Sequence, residues 1–128
     1  ELEQREQAAV LFSDLRFMVK GFKAYCDIYG FLAGNEVFAF TARVMREAVT
    51  SAGTTDDFIG LLGDEFVIFT KPDAADAVRD AVMKQFEAGI NTYYSFSDVE
   101  RGGLLLNAGT PDEKLAPLMK LVQLQEEL

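Results

Sequence analysis

The chain has no histidine and a single cysteine, Cys26. The first absence removes the commonest general base, the usual zinc ligand and every histidine-containing triad. The second excludes an internal disulfide and suits a reducing cytosol. Basic residues are also scarce: 12 Lys and Arg against 21 Asp and Glu leave a net charge of −9. Such a surface repels phosphate backbones, so nucleic acid is a poor candidate partner. It also opposes a nucleoside triphosphate unless Mg²⁺ or a local basic cluster compensates. No apolar run approaches the roughly 18 residues of a membrane-spanning helix, so no membrane insertion is expected. No charged-then-apolar leader opens the chain, and a cytoplasmic location is expected. Repeats and low-complexity segments are absent.

What is present is a globular composition. The 128 residues are 49% hydrophobic, with 11 phenylalanines, enough for one domain with a sizeable core. Residues 1–7 (ELEQREQ) read as a helical stalk from an upstream domain, and residues 8–128 as one folded unit. The apolar run 8–13 (AAVLFS) predicts a buried strand with Asp14 at its exit, where open sheets place ligands. Residues 17–29 predict a helix broken by Gly21 and Gly30, and Asn35 is a candidate cap for a second helix to about Ser51. Residues 58–69 predict a hairpin, with Gly63 suited to a two-residue turn. Pro72 opens a third helix that Gly89 closes. Tyr93 to Arg101 reads as an aromatic, polar connection, and Gly103 to Leu106 as an edge strand. The tail fits a strand over 118–124 or an amphipathic helix. The order β-α-α-β-β-α-β implies an α+β fold, an antiparallel sheet flanked by helices.

The hairpin turn carries two adjacent acids, Asp64 and Glu65. With the expected strand beside it, Asp14 and Asp64 would meet at one end of the sheet. Two hard oxygen ligands of that kind suit Mg²⁺ escorting nucleotide phosphates. A plainer reading is also open, and local pattern alone favours it: Asp14 caps the next helix and Asp64-Glu65 is a solvated turn. Lys20 and Lys23 can neutralise phosphates as point charges or stand as surface lysines. Cys26 fits a small buried apolar residue, without a histidine to activate its thiol.

Three stretches, in order and spacing, resemble the GGDEF (diguanylate cyclase) family. Residues 22–36 (FKAYCDIYGFLAGNE) resemble its F-K-x-x-N-D-x-x-G-H-x-x-G-D-E segment. Residues 57–66 (DFIGLLGDEF) resemble its signature hairpin. Residues 117–121 (PLMKL) resemble a later strand in a subgroup often attached to response-regulator receiver domains. The resemblance implies a palm-like nucleotidyl-cyclase fold, and the family makes cyclic di-GMP from two GTP molecules in a homodimer. It also implies Asp14 and Asp64 as metal ligands, Asp64 and Glu65 as catalytic acids, and Lys23, Cys26 and Asn35 at nucleotide-binding positions. Mg²⁺ would enter only with a bound nucleotide. Residues 11–16 (LFSDLR) are similar to the opening strand of class III adenylate cyclases, which share this core.

The departures from the family pattern fall on function. Cys26 and Asn35 stand where the family reads guanine with Asn and Asp; such lost partners cost about 1–3 kcal/mol each. Leu62 replaces the first hairpin glycine, which lets the backbone approach the nucleotide. Asp14 precedes Phe22 by eight positions where the family uses four, so an insertion around Arg16 to Val19 is expected to distort the phosphate loop. No basic residue near Thr54 supplies the family's feedback site. The family continues beyond the end of this chain into a basic helix, so a C-terminal truncation is expected. The expected function is a degenerate GGDEF-like domain, catalytically impaired, serving as a regulatory, dimerisation or protein-interaction module. Its partners would be an upstream sensor or receiver domain, a second copy or another signalling protein, with GTP and cyclic di-GMP disfavoured. The alternatives are an active or weak cyclase with altered base preference, and a silent nucleotide sensor.

Overall fold

The computed structural model describes residues 12–124. The expected stalk at 1–7 and most of the expected strand at 8–13 lie outside the described residues. Four strands form one antiparallel sheet in the order β2-β3-β1-β6. They are β1 (Ser13–Lys20), β2 (Phe58–Leu62), β3 (Glu65–Thr70) and β6 (Lys120–Leu124). Two further strands, β4 (Gly103–Leu106) and β5 (Lys114–Pro117), pair separately. The helices are α1 (Phe22–Tyr29), α2 (Phe31–Ala52), α3 (Pro72–Gly89) and α4 (Phe96–Arg101), with a 3₁₀ turn at Ile90–Tyr93. The architecture is α+β, an antiparallel sheet flanked by helices.

The first strand is the main correction. Expected at 8–13, it runs instead over Ser13–Lys20, including residues assigned above to a helix. Its pattern has period two: Leu15 and Phe17 are buried, while Asp14, Arg16 and Lys20 point to the other face. The unbroken apolar run before it is a more conspicuous signal but is not the described strand. The insertion expected around Arg16 to Val19 is likewise ordinary strand, paired with β3 or β6 at every position. Asn35 is no cap either. Helix α2 starts at Phe31 behind Gly30, whose φ of 96° is open to glycine at little cost. The connection 93–101 contains α4, capped by Ser95, whose hydroxyl accepts from the Asp98 N–H at 3.3 Å. The tail resolves as strand β6.

Leu15, Phe17, Phe66, Ile68 and Leu121 form the sheet's inner face and join one core with α2 and α3. Helix α2 contributes Val37, Phe40, Val44, Met45 and Ala48, and α3 contributes Val78, Val82 and Phe86, both at helical spacing. The two helices touch closely where a β-carbon on Gly89 would stand 2.7 Å from the Phe40 ring. Strand β2 forms one edge of the sheet and leaves Phe58, Leu61 and Leu62 exposed.

The loop before β2 is fastened by Asp57. Its carboxylate accepts from the Thr54 N–H at 3.0 Å, the Thr54 hydroxyl at 2.5 Å and the buried Thr70 hydroxyl at 2.8 Å. Asp57→Ala strands the Thr70 hydroxyl inside the protein. It is expected to cost about 2 kcal/mol in urea unfolding; a change within experimental error would show that this network carries no stability.

Candidate functional site at the hairpin tip

The turn joining β2 to β3 consists of Gly63 and Asp64, flanked by the pair Leu62 and Glu65. Gly63 has a φ of 64°, and Asn107 alone among described non-glycine residues has a positive φ. Positive φ at the first turn position only is the type II′ pattern, which matches the twist of a hairpin. Asp64 is therefore presented at the tip, exposed to solvent.

The register separates the two acids that were expected to meet. Asp14 lies opposite Phe69, near the far end of β3 from the turn. Five residues of strand, about 16 Å, divide it from Asp64. The cause is the shifted strand: Asp14 sits at the entry of β1, and the antiparallel hairpin tip lies beside its exit. Asp14 is instead engaged by Arg16, whose Nη2 stands 3.0 Å from Asp14 Oδ2 and whose Nη1 reaches Glu65 Oε1 at 3.9 Å. Glu65 thus joins a charge row on the outer face of the sheet. Arg16 was not singled out by the sequence; its spacing of two from Asp14 along an alternating strand was the available signal.

The groups that do gather at the tip come from the end of β1 and the start of α1. A cavity of about 330 Å³ is lined by Met18, Lys20, Phe22, Lys23, Phe38 and Asp64, among others. The position four before Phe22, where the family places its acid, is Met18. Lys23 is almost wholly exposed and pairs with Asp27 at 3.7 Å. Cys26 and Asn35 are not part of this lining. The Cys26 sulfur packs on Gly34, where a β-carbon would come within 2.5 Å. Burial, and then the neighbouring Asp27, push its thiol pKa up, so it stays protonated near neutrality. Asn35 is exposed one residue further along α2.

Beside the cavity, α1 is held by three tyrosines. Tyr25 and Tyr29 stack at 4.5 Å, and Tyr94 meets both edge-on. The Tyr25 hydroxyl donates to the Tyr93 carbonyl at 2.7 Å, and burial raises its pKa to about 12. Tyr29 accepts from the Ser95 N–H and donates to the Asp98 carboxylate, while Met119 N–H donates to Tyr94. The sequence offered these rings as packing but not this latch between α1 and α4.

The hydrogen bond from Tyr29, reinforced by Arg101, holds the Asp98 pKa below its ordinary value of 3.8. A depressed carboxylate stabilises the fold above its unfolded pKa and loses that contribution as pH falls through the folded one. Stability is therefore expected to decline below about pH 4. In Asp98→Asn this part of the decline should be absent; an unchanged slope of stability against pH would assign it to other acids.

No protein-family model matches the chain, and no curated protein does. Solved structures do match. One is the diguanylate cyclase SiaD from Pseudomonas aeruginosa in complex with its activator SiaC, at TM-score 0.56 and 19% identity, covering 94% of this chain and 39% of that one. Another is the GGDEF domain of DgcB from Caulobacter crescentus in complex with c-di-GMP, at TM-score 0.54 and 17% identity, covering 94% and 63%. The fold is GGDEF-like. An EAL/GGDEF domain protein from M. capsulatus, at TM-score 0.53 and 17% identity, covers 93% of this chain and 69% of its own. The GGDEF-like chain thus spans less than two thirds of both the SiaD and the DgcB chains.

Proposed function

We propose that this GGDEF-like domain does not perform the cyclase reaction and acts as a regulatory docking or dimerisation module in bacterial cyclic di-GMP-type signalling. An upstream sensor or receiver domain, a second copy or another signalling protein would be its partner. The observation that carries this reading is the composition of the cavity at the hairpin tip. The Mg²⁺ site that the resemblance implies needs Asp14 beside Asp64, with substrate oxygens completing the shell. Here Asp64 is the one carboxylate in the lining, facing Met18 and two lysines, with Asp14 a strand's length away. Leu62, exposed beside the turn, adds bulk where the family has glycine. Cys26 and Asn35 supply no guanine-reading carboxylate.

The solved cyclase bound to its activator, SiaD with SiaC, gives a protein-docking role a parallel in the same fold. Incubating the purified protein with GTP and Mg²⁺, and separating products chromatographically, is expected to yield no cyclic di-GMP. Product that disappears in Asp64→Ala would overturn the reading in favour of an active cyclase.

A further inference from the structure

Strand β2, Phe58-Ile59-Gly60-Leu61-Leu62, carries no charged side chain and pairs on one side only, with β3. In a two-residue hairpin the flanking pair exchanges both backbone bonds, and bonded pairs alternate from there. Leu62, Gly60 and Phe58 therefore bond to β3, while Ile59 and Leu61 turn their N–H and C=O groups to the open edge. Among the described residues, no backbone group from outside the sheet reaches these two. Around that edge Phe58, Leu61 and Leu62 are exposed. Phe38 extends the apolar surface onto α2, its ring centre 5.0 Å from that of Phe66, the partner of Leu61.

We propose that β2 docks on β2 of a second copy of this chain, antiparallel about a two-fold axis at Gly60; the proposal rests on the docking role above and names its partner. With Gly60 on the axis, Ile59 faces the partner's Leu61 and Leu61 the partner's Ile59, so all four open groups on each strand find a bond. Phe58 faces the partner's Leu62, large against large. The two glycines meet where a side chain would crowd: a β-carbon on Gly60 would stand 3.1 Å from the Phe58 ring. Just beyond the strand ends, Asp64 falls beside the partner's Asp56. Lys71, 3.4 Å from Asp56 within each copy, supplies the opposite charge there. A strand from an unrelated protein is under no constraint to match in this way. Five residues a side fall short of the roughly 1,200 Å² of stable complexes, and two net charges of −9 repel. The dimer is therefore expected to be weak, with a Kd on the order of 100 µM.

Sedimentation equilibrium over a concentration series tests the association, and disulfide trapping tests the register. The parent is expected to pass from monomer to dimer around that Kd. Leu61→Pro removes an edge N–H that β3 does not use, a place where a sheet tolerates proline. It should melt cooperatively and stay monomeric, as should Leu61→Lys, which places like charges beside the axis. Lys71→Glu should weaken the dimer about fivefold, and Lys84→Glu, an equal charge change on α3, should weaken it less. In a Cys26→Ala background, Gly60→Cys should form an intermolecular disulfide on mild oxidation, since α-carbons about 4.5 Å apart lie within disulfide reach. Thr50→Cys, exposed on α2, should not. A chain still monomeric at about ten times that Kd, a dimer that survives in folded Leu61→Lys, or equal trapping at positions 60 and 50 would each overturn the proposal. The two readings fail separately. A dimer that makes cyclic di-GMP contradicts the proposed function but not the interface, whereas a monomer that makes none removes only the second copy as partner.

Discussion

Replacing Phe17 by alanine is expected to remove about 3–5 kcal/mol of stability, a large share of the roughly 5–15 kcal/mol that holds a domain together. Phe17 is fully buried on β1, which lies between β3 and β6, with Phe66 opposite it on one side and Gln123 on the other. Its ring enters the core that α2 and α3 close. Deleting it leaves a cavity beneath both helices that rigid strands cannot fill. Met18, one residue on, points to the opposite face, and Met18→Ala should cost less than about 1 kcal/mol. Urea unfolding of the two variants reads the strand's alternation directly. Equal losses at the two positions would contradict a strand of period two.

The second large effect concerns metal. Asp14 cannot share an ion with Asp64 across about 16 Å of sheet, whereas Met18 and Lys20 line the same cavity as Asp64. Met18→Asp with Lys20→Asp would gather three carboxylates at the tip. Without metal, their repulsion is expected to cost on the order of 1 kcal/mol in this exposed setting. Mg²⁺ at ten times its Kd should then restore about 1.4 kcal/mol, so the double variant's melting temperature rises with Mg²⁺ while the parent's stays flat. Moving the acids to the true exit of β1 is thus expected to make the turn metal-responsive. A double variant that ignores Mg²⁺ would show that these side chains do not converge.

Local chemistry made some elements readable. The hairpin was legible because two apolar runs flank Gly63-Asp64, and α3 because Pro72 and Gly89 bracket a helical stripe. β1 was obscured by the uninterrupted apolar residues before it, although Asp14, Leu15, Arg16 and Phe17 already alternate. Within the candidate site, Asp64 was legible as a turn residue. The separation of Asp14 from it was not, since register is decided by pairing with a distant strand. The same holds for Lys20 and Lys120, a hundred residues apart in sequence and opposite in space. The latch from Tyr29 to Asp98 is equally non-local. Side-chain types were readable from the chain, while their juxtapositions came from long-range contacts.

The exposed edge at β2 has a practical consequence for handling the protein. Phe58, Leu61 and Leu62 belong to an edge strand, open on one side, without lysine, proline or a bulge to discourage stacking. Near neutral pH a net charge of −9 opposes such stacking by mutual repulsion. Acidification toward the isoelectric point, about 4.4, discharges that colloidal barrier while the greasy rim stays in place. Solutions should therefore turn cloudy on mild acidification, and high salt should lower the concentration at which they do.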